Sequence, residues 1–189
     1  MTNDTDPRPG VIICPLGLVD GSILLHLGSR IQQCCQVRCS VGESLENPAY
    51  AFDREREQHC CKRILRRLDH YDSPQFRRVL AVTEADLFIP ILRYVFGAAQ
   101  MGGRCAVVSM HRLRPQYYGD KDDQRLFLDR LVKTALHELG HSLGLTHCQR
   151  RTCVMYSSSR IQDTDAKMAD FCPTCRELFR WRLATEMTG

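Results

Sequence analysis

The hydrophobic and polar positions along the N-terminal part of the chain predict strands separated by helices. Residues 20–31 carry Ile23, Leu24, Leu27 and Ile31 at the spacing of one helix face. The predicted strands are residues 11–16, 34–41, 78–89 and 104–110, with residues 93–100 as a shorter edge strand. The predicted helices among them are residues 20–31 and 53–71.

This alternation predicts an α/β (α+β) fold whose sheet is mainly parallel and has one antiparallel edge strand. The chain has 189 residues, of which 43% are hydrophobic and 25% are charged. That length is sufficient for one hydrophobic core. We therefore expect a single domain that covers residues 1–189.

The longest helical pattern follows a polar loop at residues 114–123. Either Asp122 or Asp123 can cap its start, because an aspartate side chain accepts hydrogen bonds from the free N–H groups of a first turn. Its apolar positions cover more than one face, which is typical of a buried helix: Phe127, Leu128, Leu131, Val132, Ala135, Leu136, Leu139 and Leu143. Gly144 can end the helix in a left-handed conformation. Residues 145–171 are polar and loop-like, and residues 174–187 return to helical spacing.

The net charge of +4 comes mostly from a basic run between Arg54 and Arg78, in which arginines and a lysine alternate with acids and leucines. We interpret this run as the solvated face of a helix, and binding of nucleic acid is the function it favours least. The first ten residues lack the apolar segment of a signal peptide, and no apolar run reaches the about 20 residues of a membrane span. We therefore expect a monomeric, cytoplasmic protein with no membrane partner.

Three histidines and a glutamate stand close together in "HELGHSLGLTH". His137 and His141 are four residues apart on the long helix, so their rings project from one face and one metal ion can bridge them. Glu138 lies beside that face, where it can address a water molecule without competing for the ion. Two helical histidines that make ordinary hydrogen bonds are the alternative.

The pattern extends through Gly144 to His147, which makes the metal interpretation much more specific than the first five residues do. Gly144 allows the chain to reverse direction after the helix, so that a third imidazole can approach the ion. Three neutral nitrogens with one open position are typical of a catalytic zinc, whereas a structural zinc uses four protein ligands. The sequence therefore predicts a hydrolytic zinc site with Glu138 as the general base.

The chain has eleven cysteines, and closely spaced cysteines in a reducing compartment indicate metal or thiol chemistry more than disulfides. Cys148 and Cys153 form one pair, and Cys172 and Cys175 form a second pair in "CPTC". Together they supply the four thiolates of a structural zinc. Cys148 is not expected to serve the ion of its neighbour His147, because adjacent side chains tend to point apart. The sequence thus predicts two Zn2+ ions per chain.

Other cysteines offer alternatives to this assignment. Cys34, Cys35 and Cys39 have a similar spacing but lie in a predicted strand. A redox role for "CPTC" competes as well, although a polar loop precedes it where such a motif would follow a buried strand. The remaining cysteines, Cys14, Cys60, Cys61 and Cys105, are interpreted as small buried hydrophobic residues.

The complete pattern, H-E-x-x-H-x-x-G-x-x-H followed by C-x4-C-x-M and a later C-x-x-C, resembles the archaemetzincins, a family of metzincin zinc peptidases. Residues 137–175 carry this resemblance, and "YVFGAAQ" and "AVVSMHRLRPQYYG" upstream are also similar to that family. The resemblance implies a metzincin-like twisted mixed sheet, an active-site helix and a small C-terminal subdomain stapled by zinc. The two subdomains would comprise about residues 1–143 and about residues 144–189.

The resemblance also implies roles for individual residues. Catalytic zinc would be bound by His137, His141 and His147, structural zinc by Cys148, Cys153, Cys172 and Cys175, and Glu138 would be the general base or acid. Met155 would pack beneath the histidines, although an ordinary core methionine explains its position too. Tyr156 could reach the zinc or an oxyanion. Residues 93–100 would pair with the substrate as an added strand, or form an ordinary sheet edge.

Three functions follow from these patterns. The leading hypothesis is a zinc-dependent metallopeptidase that hydrolyses peptide bonds with water activated by Glu138. The first alternative is a weakly active or inactive peptide-binding protein of the same fold, stabilised by zinc. The second is a basic zinc module that binds nucleic acid through the Arg54–Arg78 run. The intact Glu138 favours the enzyme, because a binding protein needs no general base beside an open metal position.

Overall fold

A computed structural model describes residues 9–188, with side chains up to Thr185. The strands are β1 (Gly10–Pro15), β2 (Arg38–Val41), β3 (Phe52–Asp53), β4 (Gln58–Cys60), β5 (Arg78–Thr83), β6 (Leu87–Phe88), β7 (Gly97–Ala99) and β8 (Cys105–Ser109). The helices are α1 (Gly21–Cys35), α2 (Cys61–Leu68), α3 (Gln124–Ser142), α4 (Ile161–Asp165) and α5 (Pro173–Thr188). Most of the first ten residues, predicted to contain no signal peptide, lie outside the described residues.

A five-stranded sheet in the order β2-β1-β5-β8-β7 forms the centre of the molecule. The first four strands are parallel, and β7 runs antiparallel to β8 at one edge. Every residue of β1, β5 and β8 is buried, because helices cover both faces of the sheet. Helices α1 and α3 contribute to the core on one face, and α2 contributes to the core on the other. The predicted α/β class and its antiparallel edge are confirmed.

The prediction of a strand over residues 34–41 is wrong at its start. Helix α1 continues to Cys35 and ends where Gln36 adopts a left-handed conformation with φ 58°. The N–H of Gln36 still donates to the Gln32 carbonyl, so the helix is terminated by its own last turn. Strand β2 begins only at Arg38. As a result, Cys34 and Cys35 lie on a helix and not on a strand.

The prediction of one helix over residues 53–71 is also wrong in its first half. Strands β3 and β4 form a hairpin there, and only α2 is helical. The Asp53 carboxylate accepts hydrogen bonds from the N–H groups of Glu55 and Arg56, and Glu57 has a φ of 54°. A side-chain turn of this kind competes with helix formation. The predicted strand 78–89 is likewise divided, into β5 and the short β6.

The basic run between Arg54 and Arg78 is therefore not a single solvated helix face. Arg56 lies in the hairpin, where its guanidinium stacks over the Phe88 ring at 4.5 Å and donates to the carbonyls of Pro90 and Leu92. Arg67 on α2 forms an ion pair with Glu46 at 2.9 Å. The arginines of this run thus have different structural environments.

The long helix α3 begins and ends as its sequence predicts. Asp123 is the cap that is used, and its Oδ1 accepts the N–H of Leu126 at 2.9 Å. Gly144 has a φ of +81° just after the helix. The N–H of Leu145 then donates to the carbonyl of Gly140, which closes the last turn. No helix within residues 9–188 is both long and apolar enough to cross a membrane.

Candidate metal centre

Helix α3 brings two histidine rings into contact at the bottom of a cleft. The Nδ1 of His137 lies 2.8 Å from the Val154 carbonyl oxygen, and the Nδ1 of His141 lies 2.7 Å from that of Leu145. The Nε2 atoms of the two rings are 3.0 Å apart. A carbonyl oxygen only accepts hydrogen bonds, so each Nδ1 must carry the proton. Both Nε2 lone pairs therefore point at the same place.

Two converging lone pairs repel each other unless a cation lies between them. Two nitrogens at tetrahedral positions about 2.0 Å from zinc would be roughly 3.3 Å apart, which is close to the observed separation. Burial lowers the pKa of His137 well below its ordinary value, and burial also lowers the pKa of His141. Both rings are thus neutral at physiological pH, as a metal ligand must be. These two residues fit a bound metal ion.

The third histidine approaches from the loop that follows α3. The His147 ring centroid lies 4.9 Å from that of His141 and 5.3 Å from that of His137. One nitrogen from each ring can be chosen so that all three lie within 4.8 Å of one another. His147 is exposed, and both the partial burial of its ring and the positive charge of Lys167 lower its pKa. The loop turns back immediately, since the N–H of Cys148 donates to the carbonyl of Met155 at 2.9 Å.

Glu138 is a buried carboxyl group beside these rings. Burial raises its pKa from 4.5 to about 8, and the positive charge of Lys167 acts in the opposite direction. Strand β7 presses against it: a Cβ atom on Gly97 would lie 2.7 Å from Cγ of Glu138. A carboxyl group with a pKa near neutrality can both accept and release a proton. The sequence indicated this residue, and the structure adds the close approach of β7.

Lys167 is a member of the site that the sequence did not indicate. It is only 4% exposed, and its Nζ donates to the carbonyls of Val154 at 3.2 Å and Tyr156 at 2.8 Å. Burial lowers the pKa of Lys167 to about 8, whereas the nearby Glu138 raises it. The Val154 carbonyl also accepts from His137, so Lys167 holds the acceptor that orients a histidine ring. A lysine in the polar stretch "TDAKMAD" carries no sequence signal of such burial.

Met155 packs directly against the helix that carries the histidines. It is fully buried, and its sulfur atom occupies the space where a side chain on Gly140 would lie. This position beneath the histidine-bearing turn is the packing role expected for it. Tyr156 is not among the described residues that line the cleft, so the idea that its hydroxyl reaches the metal stays a prediction.

Four cysteines form a second cluster next to the histidines, and their sulfur atoms lie within 4.8 Å of one another: Cys148, Cys153, Cys172 and Cys175. The sulfurs of Cys148 and Cys172 are 3.9 Å apart, too far for a disulfide and close to the roughly 3.8 Å between two thiolates on one zinc. Backbone N–H groups point at two of the sulfurs, from Arg150 to Cys148 and from Cys172 to Cys153.

Burial raises the pKa values of Cys153 and Cys175, whereas the pKa of Cys172 is shifted in the opposite direction. Burial raises the pKa of Cys172, but hydrogen bonds from the Cys175 backbone and from neighbouring thiols outweigh this and lower it to about 7. At least one sulfur is therefore ready to be a thiolate, which is the form that binds metal. Four thiols whose sulfur atoms lie this close together are a donor set that suits a structural zinc.

The alternative cysteine assignments receive less support. Within residues 9–188, Cys34, Cys35 and Cys39 do not belong to a group of three ligand atoms that could share a metal. Cys34 instead donates to the carbonyl of Ala169, and Cys35 is buried at the end of α1. Cys14, Cys61 and Cys105 are fully buried, as predicted, whereas Cys60 is partly exposed at the end of β4. Both cysteines of "CPTC" are members of the four-thiol cluster, which argues against an independent redox pair.

A cleft of about 950 Å³ opens over the histidines and Glu138. The edge strand β7 forms one wall, and the buried Lys167 also lines the cleft. Helix α2, on the other side of the edge strand, contributes Cys61 and Leu65, and Asp69, directly after the helix, lines the cleft as well. The segment before β7 is joined to the opposite wall by a hydrogen bond from the Tyr94 hydroxyl to the Ser159 carbonyl at 3.1 Å. The described residues thus form a groove that passes beside a sheet edge.

Comparisons with known proteins agree with this geometry. The profile of peptidase family M54 matches residues 37–180. The archaemetzincin of Pyrococcus abyssi is 37% identical over 171 residues, which cover 87% of this chain and 91% of that protein. The crystal structure of an archaemetzincin from Methanopyrus kandleri matches with a TM-score of 0.84 at 32% identity, and the match covers 95% of this chain and 98% of that one.

The crystal structure of a zinc-dependent peptidase from Methanocorpusculum labreanum shows the same fold. It matches with a TM-score of 0.82 at 27% identity, and the match covers 90% of this chain and 100% of that one. The predicted resemblance is confirmed along almost the whole chain, and not only at the histidine and cysteine motifs. The chain therefore belongs to peptidase family M54, the family of the archaemetzincins, and is a zinc metallopeptidase of that family.

Proposed function

We propose that this protein hydrolyses peptide bonds at a zinc ion held by His137, His141 and His147, with Glu138 as general base and acid. The observation that carries this proposal is the convergence of unprotonated imidazole nitrogens beside a buried carboxyl group, inside a cleft of about 950 Å³. A zinc ion bound there supplies a Lewis acid for the scissile carbonyl and lowers the pKa of a water molecule.

Glu138 performs the proton transfers in this proposal. Its carboxylate accepts a proton from the attacking water and then delivers that proton to the nitrogen of the leaving amine. Burial raises the pKa of Glu138 in the metal-free site, and a zinc ion bound beside it would act in the opposite direction, towards the carboxylate that accepts the proton. The contact with Gly97 limits the positions that the carboxyl group can adopt.

The edge strand β7 is well placed to hold the substrate backbone. It is the last strand of the sheet, pairs with β8 on one side and lines the cleft with Gly97, Ala98 and Ala99. Small side chains at these positions let another chain approach closely. We therefore include in the proposal that a peptide binds as an additional strand along β7.

We further propose that Cys148, Cys153, Cys172 and Cys175 hold a second, structural zinc, so that each chain carries two ions. The peptide bond between His147 and Cys148 would then fix the third histidine relative to this second site. A subdomain of about residues 144–189 and a location in the cytoplasm, where thiols stay reduced, belong to the same proposal. Metal analysis of the purified protein and cell fractionation test these points.

The decisive experiment compares the turnover of an unbiased peptide library by the wild type, Glu138→Gln and Glu55→Gln. Glu55 is exposed in the hairpin turn and serves as a matched control. We expect both variants to bind zinc as the wild type does, with cleavage lost by at least 100-fold only in Glu138→Gln. Equal rates for all three proteins would contradict the proposal. No cleavage by any of them with two zinc ions bound would favour the peptide-binding alternative.

A further inference from the structure

The basic run between Arg54 and Arg78 contributes two cations to the wall of the active-site cleft. Lys62 and Arg66 lie one helical turn apart on α2, and both line the cleft. Arg63 on the same helix does not line it. Arg93, in the segment before β7, lines the cleft as well, so that three cations from two elements face the same space.

These three cations are exposed and are not neutralised by the protein. Among the described residues, neither Lys62, Arg66 nor Arg93 has an ion pair or a hydrogen bond to its side chain, in contrast to Arg56 and Arg67 of the same run. The carboxylates that line the cleft are those of Asp69, which is exposed, and of the buried Glu138. The accessible wall therefore carries three positive charges against one negative charge.

We infer that the cleft selects peptides with acidic side chains, and that Lys62, Arg66 and Arg93 provide this selectivity. The inference deepens the proposed peptidase function and rests on it for the site of binding. A cleft lined by one sign of charge concentrates ligands of the opposite sign and raises their association rate. Each exposed ion pair changes affinity about 1.5- to 5-fold, so three of them give a preference on the order of 10-fold.

A peptide is favoured over nucleic acid as the carrier of the negative charge. The cations border the same cleft that contains the histidines and Glu138, and the apolar side chains of Leu65 and Leu92 line this cleft as well. A substrate that combines acidic and apolar side chains would contact both kinds of surface. Nucleic acid would instead need an extended basic surface, whereas Arg56 and Arg67 are engaged within the protein.

The test measures kcat/KM for pairs of fluorogenic peptides that are identical except that three residues on one side of the scissile bond are all Glu in one peptide and all Gln in the other. The two sides of the scissile bond are examined in turn, at 50 mM and 500 mM salt. We expect at least one side on which the wild type prefers the Glu peptide about 10-fold at low salt, with the preference reduced to about 2-fold or less at high salt. Equal cleavage of the Glu and Gln peptides on both sides would overturn the inference.

Two single variants of α2 separate a local effect from a change in total charge. Arg66→Glu is expected to reduce the Glu/Gln ratio at least 5-fold. Arg93→Glu, in the segment before β7, should change the ratio in the same direction. Arg63→Glu changes the net charge by the same amount away from the cleft and is expected to leave the ratio within 1.5-fold of the wild type. Equal losses in Arg63→Glu and Arg66→Glu would refute the assignment to the cleft.

Binding measurements keep this inference distinguishable from the peptidase proposal. Fluorescence anisotropy with Glu138→Gln gives the Glu/Gln ratio of affinities without any cleavage. If no protein cleaves any peptide but the acidic peptides still bind about 10-fold more tightly, the peptidase proposal fails and the selectivity stands. Salt-sensitive binding of a single-stranded oligonucleotide that Arg66→Glu abolishes, together with equal affinity for both peptides, would overturn the inference in favour of nucleic acid.

Discussion

The buried carboxyl group of Glu138 gives a stability prediction that does not depend on turnover. In the protein freed of zinc at the histidines, the pKa of Glu138 is about 8, against an ordinary value of 4.5. A raised pKa means that the folded state retains a proton that the unfolded chain releases. The folded state is therefore not penalised below pH 4.5, and it loses stability as the pH rises towards 8. Glu138→Gln removes this loss, because the amide does not titrate.

The magnitude follows from the two pKa values. Their separation corresponds to roughly 5 kcal/mol at a pH well above 8, of which about 1 kcal/mol is expressed at pH 5 and about 4 kcal/mol at pH 7.5. The advantage of Glu138→Gln over the wild type should thus grow by about 3 kcal/mol between these pH values. For a chain of this size, that corresponds to a difference in Tm of about 6 to 12 °C.

Thermal unfolding of the wild type, Glu138→Gln and Glu55→Gln at pH 5 and pH 7.5 measures this effect. The lowered pKa values of the histidines affect all three proteins equally and cancel in the comparison. Glu55→Gln, at an exposed site, should follow the wild type at both pH values. Added zinc should reduce the gap at pH 7.5, because a nearby cation stabilises the ionised carboxylate. A gap that is the same at pH 5 and pH 7.5 without zinc would refute the reasoning.

Three further substitutions test the residues that hold the histidines and Glu138 in position. Gly97→Ala should lower stability by about 1 to 3 kcal/mol and reduce kcat, because the new methyl group overlaps Glu138 and a β8 carbonyl, whereas Gly21→Ala, in open space, should lower neither the Tm nor kcat. Lys167→Met should lower the Tm and weaken zinc binding at the histidines, as seen by competition with a chelator, because two backbone carbonyls lose their donor. Cys172→Ser should lower both the Tm and the zinc content; full occupancy of the histidine site with an unchanged Tm would contradict coupling between the sites.

The parts of the site that could be predicted from the sequence are those in which local geometry decides. His137 and His141 share a face of α3 because residues four apart always do, and Gly144 reverses the chain because only its backbone adopts that φ easily. The four cysteines were found by their number and spacing. In each case the information lies within a short stretch of the chain, and the structure places these residues together.

The features that could not be predicted depend on contacts between distant residues. The hairpin of β3 and β4 replaces a predicted helix because β4 pairs with β6, which lies far along the chain, and because Asp53 caps the turn. A helical pattern of charges cannot reveal that partner. Lys167 was missed for a related reason, since burial of a lysine in a polar segment depends on the whole fold.

The segment from His147 to Tyr156 shows how these two kinds of information combine. The local motif identifies His147 as the proposed zinc ligand, but the position of its ring depends on contacts with three other parts of the chain. Met155 packs against Gly140 of α3, Lys167 holds the carbonyls on either side of Met155, and the thiols next to His147 meet those at the start of α5. A ligand that must be held within about 0.5 Å cannot rely on one flexible loop. Residues after the motif therefore contribute to the geometry of the histidine site, and loss of any one contact should weaken zinc binding there before it unfolds the sheet.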